Sequence, residues 1–284
     1  MKQYDKFIIS NIETLKSPTV YYFLKRNGIS EHFIKALRKA ESLILLNEYP
    51  ATLRSIVKNE DVLLISKEPS TSNYVDECDG NLDIVYEDED YLVVNKPHGL
   101  ACIPTRSHFS NNLGGQIMRY MHQTAPNFVL RIINRLDKDT AGIVIVAKSS
   151  FAYNKIGKIE KTYHALCNGR LDHDLTINKP ILTELENGIN KPKRVISPDG
   201  KPSVTHVFPI KNYGNYCHVK CTLETGRTHQ IRVHMSSINH PLLGDSIYSD
   251  DKSKSHTFLL LKEVTFKNIH LSIPFPDDWR DYIK

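Results

Sequence analysis

Two runs rich in β-branched residues, Val129-Leu130-Arg131-Ile132-Ile133 and Ile143-Val144-Ile145-Val146-Ala147, enclose the charged segment Asn134-Arg135-Leu136-Asp137-Lys138-Asp139-Thr140-Ala141-Gly142. Both runs read as buried strands. A charged loop pinned between two core strands has fixed side chains and a backbone free to shape a pocket, so it is a good place for chemistry. Further strand signals lie at 82–86 and 91–95, on either side of the acidic turn Glu87-Asp88-Glu89-Asp90. Others follow at 161–167, 217–223, 258–261 and 269–273, and helical patterns run from Leu113 to His122 and from a Thr228 cap to about Ile238. With 284 residues, 40% of them hydrophobic, the chain can build one large domain or two unequal ones.

The longest apolar run, 143–147, has five residues, far below the roughly 20 needed to span a bilayer. The N-terminus has no signal-peptide core, and a cytoplasmic protein is expected. Five cysteines, an odd number scattered through a chain of this size, suggest reduced thiols rather than a disulfide framework.

The net charge of +5 is unevenly spread. Residues 1–66 carry ten Lys/Arg against seven Asp/Glu, residues 67–91 carry one against nine, and residues 92–284 carry 26 against 16. Residues 67–81 are acidic, polar and rich in turn formers, and they read as a linker between an N-terminal segment, 1–66, and a larger domain, 82–284. Two basic segments fit a polyanionic partner such as nucleic acid and, equally from charge alone, an ordinary charged surface.

In the N-terminal segment Val20, Phe23 and Leu24 recur at helical spacing, and Gly28 ends the pattern. Ser30 can cap a second helix with Phe33, Ile34 and Leu37 as its apolar stripe. Strand signals follow at 43–46 and 62–65. This order, with Phe23-Leu24, Gly28-Ile29-Ser30, Ile34, Leu37, Leu45-Leu46-Asn47 and Val57 to Val62, resembles the ribosomal-protein-S-four-like (alpha-L) RNA-binding module. The resemblance makes Lys35, Arg38 and Lys39 the expected RNA contacts. It departs at Ala40-Glu41-Ser42, where such modules usually place Gly before the first strand.

In the larger domain, Arg135-Leu136-Asp137-x-x-Thr140-x-Gly142 resembles the central signature of the RluA-type pseudouridine synthases, which isomerise chosen uridines in RNA to the carbon-linked form. Three more stretches match in order. They are Glu87-Asp88-x-Asp90 through Lys96-Pro97, then Lys161-Thr162-Tyr163-x-Ala165, then Glu224-Thr225-Gly226-Arg227-Thr228-His229-Gln230-Ile231-Arg232-Val233-His234. The last continues through His240-Pro241-Leu242-x-Gly244-Asp245-x-x-Tyr248. Asn134 and Ala141 depart from the His and Ser of many members. The resemblance implies an α+β fold, with a largely antiparallel mixed sheet flanked by helices in the catalytic domain and a small α+β module before it.

The reaction so implied transfers no electrons and no group to a second molecule, and the sequence has no Gly-rich phosphate loop, so no cofactor and no metal are expected. It needs an ionised carboxylate shielded from water, which would otherwise trap the sugar. Asp137 is the candidate. It can attack the sugar or remove a neighbouring sugar proton to give a glycal, and the residues leave both routes open. Burial would protonate such a carboxyl unless a guanidinium stood beside it. By the resemblance, Arg227 is the expected partner. Arg135 is expected to hold the displaced RNA backbone, Tyr163 to stack on the extruded base, Ile231 to wall it, and Lys161 to stand beside Tyr163 as a substrate contact.

Some patterns invite other readings. His229 and His234 are five apart, not the four that share a helical face, and read as packing or hydrogen-bonding residues. In Cys217-His218-Val219-Lys220-Cys221 the thiols alternate onto one strand face and His218 points away, which favours buried thiols over a metal site. The expected enzyme is a monomeric RNA pseudouridine synthase, an intramolecular transferase, acting on large-subunit ribosomal RNA or, alternatively, on transfer RNA. A catalytically silent RNA-binding protein is the rival from another class, and it would be expected to have lost Asp137, Arg227 or Tyr163.

Overall fold

The computed structural model describes residues 4–29, 31, 34, 37, 44–66, 75–104, 111–126, 128–184, 193–250 and 254–283. Strands β1 (Tyr4–Ile8), β2 (Ile44–Leu46), β3 (Tyr49–Pro50) and β4 (Val62–Ser66) form an antiparallel sheet in the order β1-β4-β2-β3. The strand β1 carries no signal that sequence reading used. Helix α1 (Val20–Arg26) buries Val20, Phe23 and Leu24, the residues whose spacing marks it. Gly28, at φ 77°, ends it in a conformation that favours glycine. Beyond it Ile34 and Leu37 are helical and buried in the same core. Lys35, Arg38, Lys39, the 40–42 turn and residues 67–74 of the expected linker lie outside the described residues.

The larger sheet has nine strands. They are β5 (Asp83–Glu87), β6 (Tyr91–Lys96), β7 (Ala141–Ala147), β8 (Ile159–Asn168), β9 (Leu175–Asn178), β12 (Val204–Tyr213), β13 (Tyr216–Leu223), β14 (Leu259–Phe266) and β15 (Ile269–Ser272). Their order is β5-β6-β7-β14-β8-β13-β12-β9, and β15 pairs with β14. The ladder between β7 and β14 is parallel and the others are antiparallel, which makes this a mixed, largely antiparallel sheet in an α+β fold. A separate antiparallel pair, β10 (Ile181–Glu184) and β11 (Lys193–Ile196), lies outside it.

Every residue of β7 is buried, as expected for an all-apolar strand covered on both faces. It pairs with β14 only through Ala141 and Gly142. The rest of that edge is filled by Val129–Ile133, which is not a strand of its own. It contributes one bridge, Ile132 to Val146, and two hydrogen bonds, Ile133 N–H to Ile145 O (2.8 Å) and Ala147 N–H to Arg131 O (2.9 Å). The side chain of Asn134 then continues the ladder, donating to Ile143 O and accepting from Ile145 N–H, both at 2.9 Å. Gly142 (φ 123°) is required here, because a Cβ would stand 2.4 Å from Leu261 O.

Helix α2 (Leu113–His122) is capped by Asn112, whose side chain accepts from Gly115 N–H at 2.9 Å. The acidic segment before β5 runs across this helix. Cys78 N–H donates to Gly115 O at 3.2 Å, Glu77 meets His122 at 2.6 Å, and Asp79 pairs with Arg119. A Cβ on Gly115 would stand 2.6 Å from Asp76 O, so the glycine permits that crossing. Helix α3 (Ser150–Lys155) sends Phe151 into the N-terminal core, where its ring lies 4.3 Å from that of Phe7 at 80°. All five cysteines are free thiols, and among the described residues no helix is long and apolar enough to cross a membrane.

His218 does leave the thiol face of β13, but it is buried too. The C-terminal tail covers that side, with Trp279 and Phe275 stacked 5.5 Å apart and both edge-on to His218. Its Nε2 lies 2.9 Å from Nδ1 of His164, so the pair holds one shared proton when both rings are neutral. Burial pushes His164 down to about 3 and His218 down to about 4. Between the ordinary value of 6.5 and about 4 the unfolded chain therefore binds protons that the folded pair refuses, and stability is lost as pH falls through this window. Unfolding followed by denaturant from pH 7 to 4 should be less pH-dependent in the double variant His164→Gln, His218→Gln, by up to about 1.4 kcal/mol per pH unit for each histidine.

Candidate active site

The loop that carries Asp137 is fixed from beneath. Lys96, at the end of β6 and 0% exposed, donates all three of its ammonium protons to carbonyls, those of Pro97 and Leu100 at 2.8 Å and of Lys138 at 3.0 Å. Burial brings this ammonium down to about 8, against the opposing pull of Cys102, Asp139 and Asp137. The Cys102 thiol donates to Leu136 O and accepts from Leu136 N–H, both at 3.3 Å. With Asn134 and Leu136 tied inward, Arg135 is exposed and Asp137 reaches the surface with 26% of its side chain accessible.

Arg232 and His229 meet that carboxylate. Arg232 Nη1 and His229 Nε2 each lie 3.7 Å from the same oxygen, Asp137 Oδ2. Arg232 is only 2% exposed and projects from helix α4 (Gln230–Ser236). Its other nitrogens grip the fully buried Asp245, Nε to Oδ2 and Nη2 to Oδ1, both at 2.7 Å. The amides of Ile247 and Tyr248 donate to Asp245 Oδ1 at 2.9 and 3.0 Å. Burial opposes both charges, but Arg232 and these amides outweigh it at Asp245, which is held below the usual carboxylate range. At Arg232 burial is likewise outweighed, by the hydrogen bonds and charge of Asp245 with a smaller pull from Asp137, and the guanidinium is more basic than usual.

Arg227 is not the partner of Asp137. Its guanidinium is exposed and donates to Pro202 O at 3.3 and 3.4 Å. The reason is local: Thr228 does not cap the helix. Gln230 takes the carbonyl end of its amide to Thr225 Oγ1–H and Arg227 N–H, which pins Arg227 in the loop before α4. The backbone then turns through His229 in the left-handed region (φ 58°, ψ 18°), and the helix starts at Gln230. Arg232 thereby falls on the face that meets the Asp137 loop.

Tyr163 is brought to the site by register. Leu261 of β14 pairs with Gly142 on one side and Tyr163 on the other, so the end of the Asp137 loop and Tyr163 share one rung across a single strand. Tyr163 is buried, and both burial and the nearby Asp137 charge raise its hydroxyl pKa. Lys161, two residues earlier on the same face, is partly buried, and burial lowers its pKa. Ile231 is buried beside Arg232 on α4. His234 is a packing residue, hydrogen-bonded to Thr205 Oγ1 and Lys179 O at 2.9 Å each.

Arg232, Tyr248, Asp245 and Lys96 stand around this site without a role assigned from the sequence, and His229, expected only to pack or hydrogen-bond, meets both Tyr248 and Asp137. Asp245 was the available signal, since a buried arginine needs a buried acid and this one stands in the same matched stretch. Among the described residues one group of possible metal ligands comes together elsewhere, His98, His256 and Asp278. Its two imidazoles are stacked face to face, 3.7 Å apart at 6°, so their in-plane lone pairs run parallel and do not converge on an ion.

Residues 90–237 match the family described as RNA pseudouridylate synthase. YjbO of Bacillus subtilis, named as an uncharacterised RNA pseudouridine synthase, is 31% identical over 281 residues, 94% of this chain and 98% of the relative. Ribosomal large subunit pseudouridine synthase D of Neisseria meningitidis serogroup A is 34% identical over 220 residues, which cover 75% of this chain and 58% of that enzyme. The solved structure of human RNA pseudouridylate synthase domain containing 1 has the same fold, with a TM-score of 0.55 at 24% identity over 72% of this chain and 86% of that one. The chain belongs to the RNA pseudouridylate synthase family, in its RluA-type branch, and is an isomerase of that class.

The corrected pairing predicts unequal costs. Asp245→Ala leaves Arg232 buried without its acid and should destabilise the fold by about 3–5 kcal/mol. Arg227→Ala should stay within about 0.5 kcal/mol of wild type, both read by denaturant unfolding.

Proposed function

We propose that this synthase isomerises uridines in structured RNA, of the large ribosomal subunit in preference to transfer RNA, with Asp137 as the catalytic carboxylate. The observation that carries the reading is the position of that carboxylate. It stands at the surface of its loop, with one oxygen 3.7 Å from a buried guanidinium and a buried tyrosine on the rung where that loop ends. The bond between ribose and the uracil nitrogen breaks, the base turns, and C5 attaches to the same sugar carbon while its proton is lost and the nitrogen gains one. Asp137 serves this by attacking the sugar or by removing its neighbouring proton, and either act requires the ionised carboxylate, beside which the Arg232 guanidinium lies.

Tyr163 offers a face for the extruded base, worth about 1–3 kcal/mol of stacking, with Ile231 as an apolar wall and Lys161 at its rim. Arg135, exposed two residues before Asp137, holds the displaced backbone. The name of the Neisseria relative supports the ribosomal substrate. Residues 1–66 act as an alpha-L RNA-binding module joined through 67–81 to the catalytic domain at 82–284, and the enzyme works as a cytoplasmic monomer without metal or cofactor.

The test is Asp137→Asn in cells lacking the gene, with total RNA mapped for pseudouridine. The variant should leave the sites unmodified, with activity in vitro reduced by about 10⁴-fold or more, the scale of losing a group that acts on the reacting atoms. Restoration of the wild-type pattern would refute the assignment. Replacing Lys35, Arg38 and Lys39 together by Ala should weaken RNA binding and lower the slope of log affinity against log salt by up to about 2–3. Filter binding across a salt series measures it.

A further inference from the structure

His229 is the one residue at this site held in a backbone conformation that side chains other than glycine rarely adopt, with φ 58° and ψ 18°. Strain of this kind persists only where its surroundings impose it, and it gathers at functional positions. The conformation presents the two ring nitrogens to different partners. Nδ1 lies 2.9 Å from Tyr248 Oη, and Nε2 lies 3.7 Å from Asp137 Oδ2.

The surroundings of Tyr248 bear on which nitrogen carries the proton. Its hydroxyl oxygen accepts the backbone N–H of Arg194 at 3.2 Å. The hydroxyl has one proton to give, and among the described residues its one other hydrogen-bonding neighbour is His229 Nδ1. The economical arrangement runs in one direction, from Arg194 N–H to Tyr248 O–H to His229 Nδ1. Nδ1 is then an acceptor, and the proton of the neutral ring sits on Nε2, facing Asp137.

We propose that Arg194 and Tyr248 lock His229 as its Nε2–H form, making it a positioning residue that, with Arg232, holds Asp137 Oδ2 and leaves Oδ1 to act on the sugar. Both donors approach the same oxygen, which divides the carboxylate into a held atom and a working atom. The gap of 3.7 Å closes to hydrogen-bond length with a movement of about 1 Å. Such tightening on substrate binding is common in active sites.

Charges around the ring agree. The groups facing it are Asp137 and Asp245, which favour protonation, and Arg232 and Arg194, which oppose it. Burial is the largest influence and pushes the imidazole below its ordinary value, so the neutral ring prevails at pH 7. Arg194 adds to this with a guanidinium whose buried Nη1 has no hydrogen-bond partner. This role rests on the reading of Asp137 as the catalytic group.

The full-length protein labelled with ¹⁵N-histidine provides a test in the resting enzyme. Long-range ¹H–¹⁵N spectra, with His229 assigned through His229→Gln, should show the Nε2–H form in wild type and a mixture or the Nδ1–H form in Tyr248→Phe. A wild-type ring protonated on Nδ1, or an unchanged ring in Tyr248→Phe, overturns the proposal. In turnover, His229→Gln retains an N–H near the Nε2 position and should lose about 10-fold in kcat with KM within about two-fold, whereas His229→Leu should lose about 100-fold. Equal losses in the two variants, with intact folding by circular dichroism, also overturn it.

Because the neutral and protonated rings both present Nε2–H, kcat should show no limb that His229→Gln removes. A limb that disappears in that variant would make His229 an acid–base group instead. If Asp137→Asn proves active, the functional reading fails by itself, while the protonation state of the resting ring is still read by the spectrum.

Discussion

The site depends on one buried ion pair. Arg232 and Asp245 bury opposite charges almost completely, an arrangement tolerable only because two hydrogen bonds at 2.7 Å join them and two backbone amides complete the acid. The pair leaves Nη1 of Arg232 directed at Asp137. A guanidinium exposed to water would adopt many rotamers and be screened. Locked by Asp245 in a dry setting, it offers a fixed positive charge at one place, which is the electrostatic preorganisation an ionised carboxylate at the edge of a core requires.

The same logic governs the loop on the other side. Among the described residues Lys96 has no carboxylate within hydrogen-bonding reach, and its protons go to three carbonyls, one of them in the Asp137 loop. Cys102 ties both backbone groups of Leu136. The tilt of Asp137 is thus set by groups that do not touch it. The groups around Asp137 come from three pieces, the loop entering β7, the rung of β8 carrying Tyr163, and helix α4, with β14 pairing to both strands as the common scaffold.

Charge patterning acquires a structural meaning as well. Part of the acidic segment that separates the basic regions lies on α2, with Glu77 against His122 and Asp79 against Arg119. Exposed pairs of this kind contribute little stability. Their effect is on placement, since they direct the chain across the helix at Gly115. Phe151 in turn enters the N-terminal core, so the two cores meet through aromatic packing as well as along the chain.

The sequence by itself determined the strands with β-branched or alternating character, the α2 and α1 patterns, the identity of the charged loop, and the residues Asp137 and Tyr163 as members of ordered motifs. The strands and helices depend on local periodicity and local spacing, and the two residues on the resemblance of their motifs to a known family. The choice between Arg227 and Arg232 was beyond it. Both arginines lie in one matched stretch, and which of them turns inward is decided by a left-handed residue, by the Gln230 amide and by an acid thirteen positions beyond Arg232. Val129–Ile133 reads as a strand for the same reason that it fails to be one: its apolar character is real, but only tertiary packing reveals that β14 leaves just part of the β7 edge open. Local sequence fixes what each segment can bury. Which charges then face one another is decided by burial, because a charge inside the fold must find its partner across space rather than along the chain.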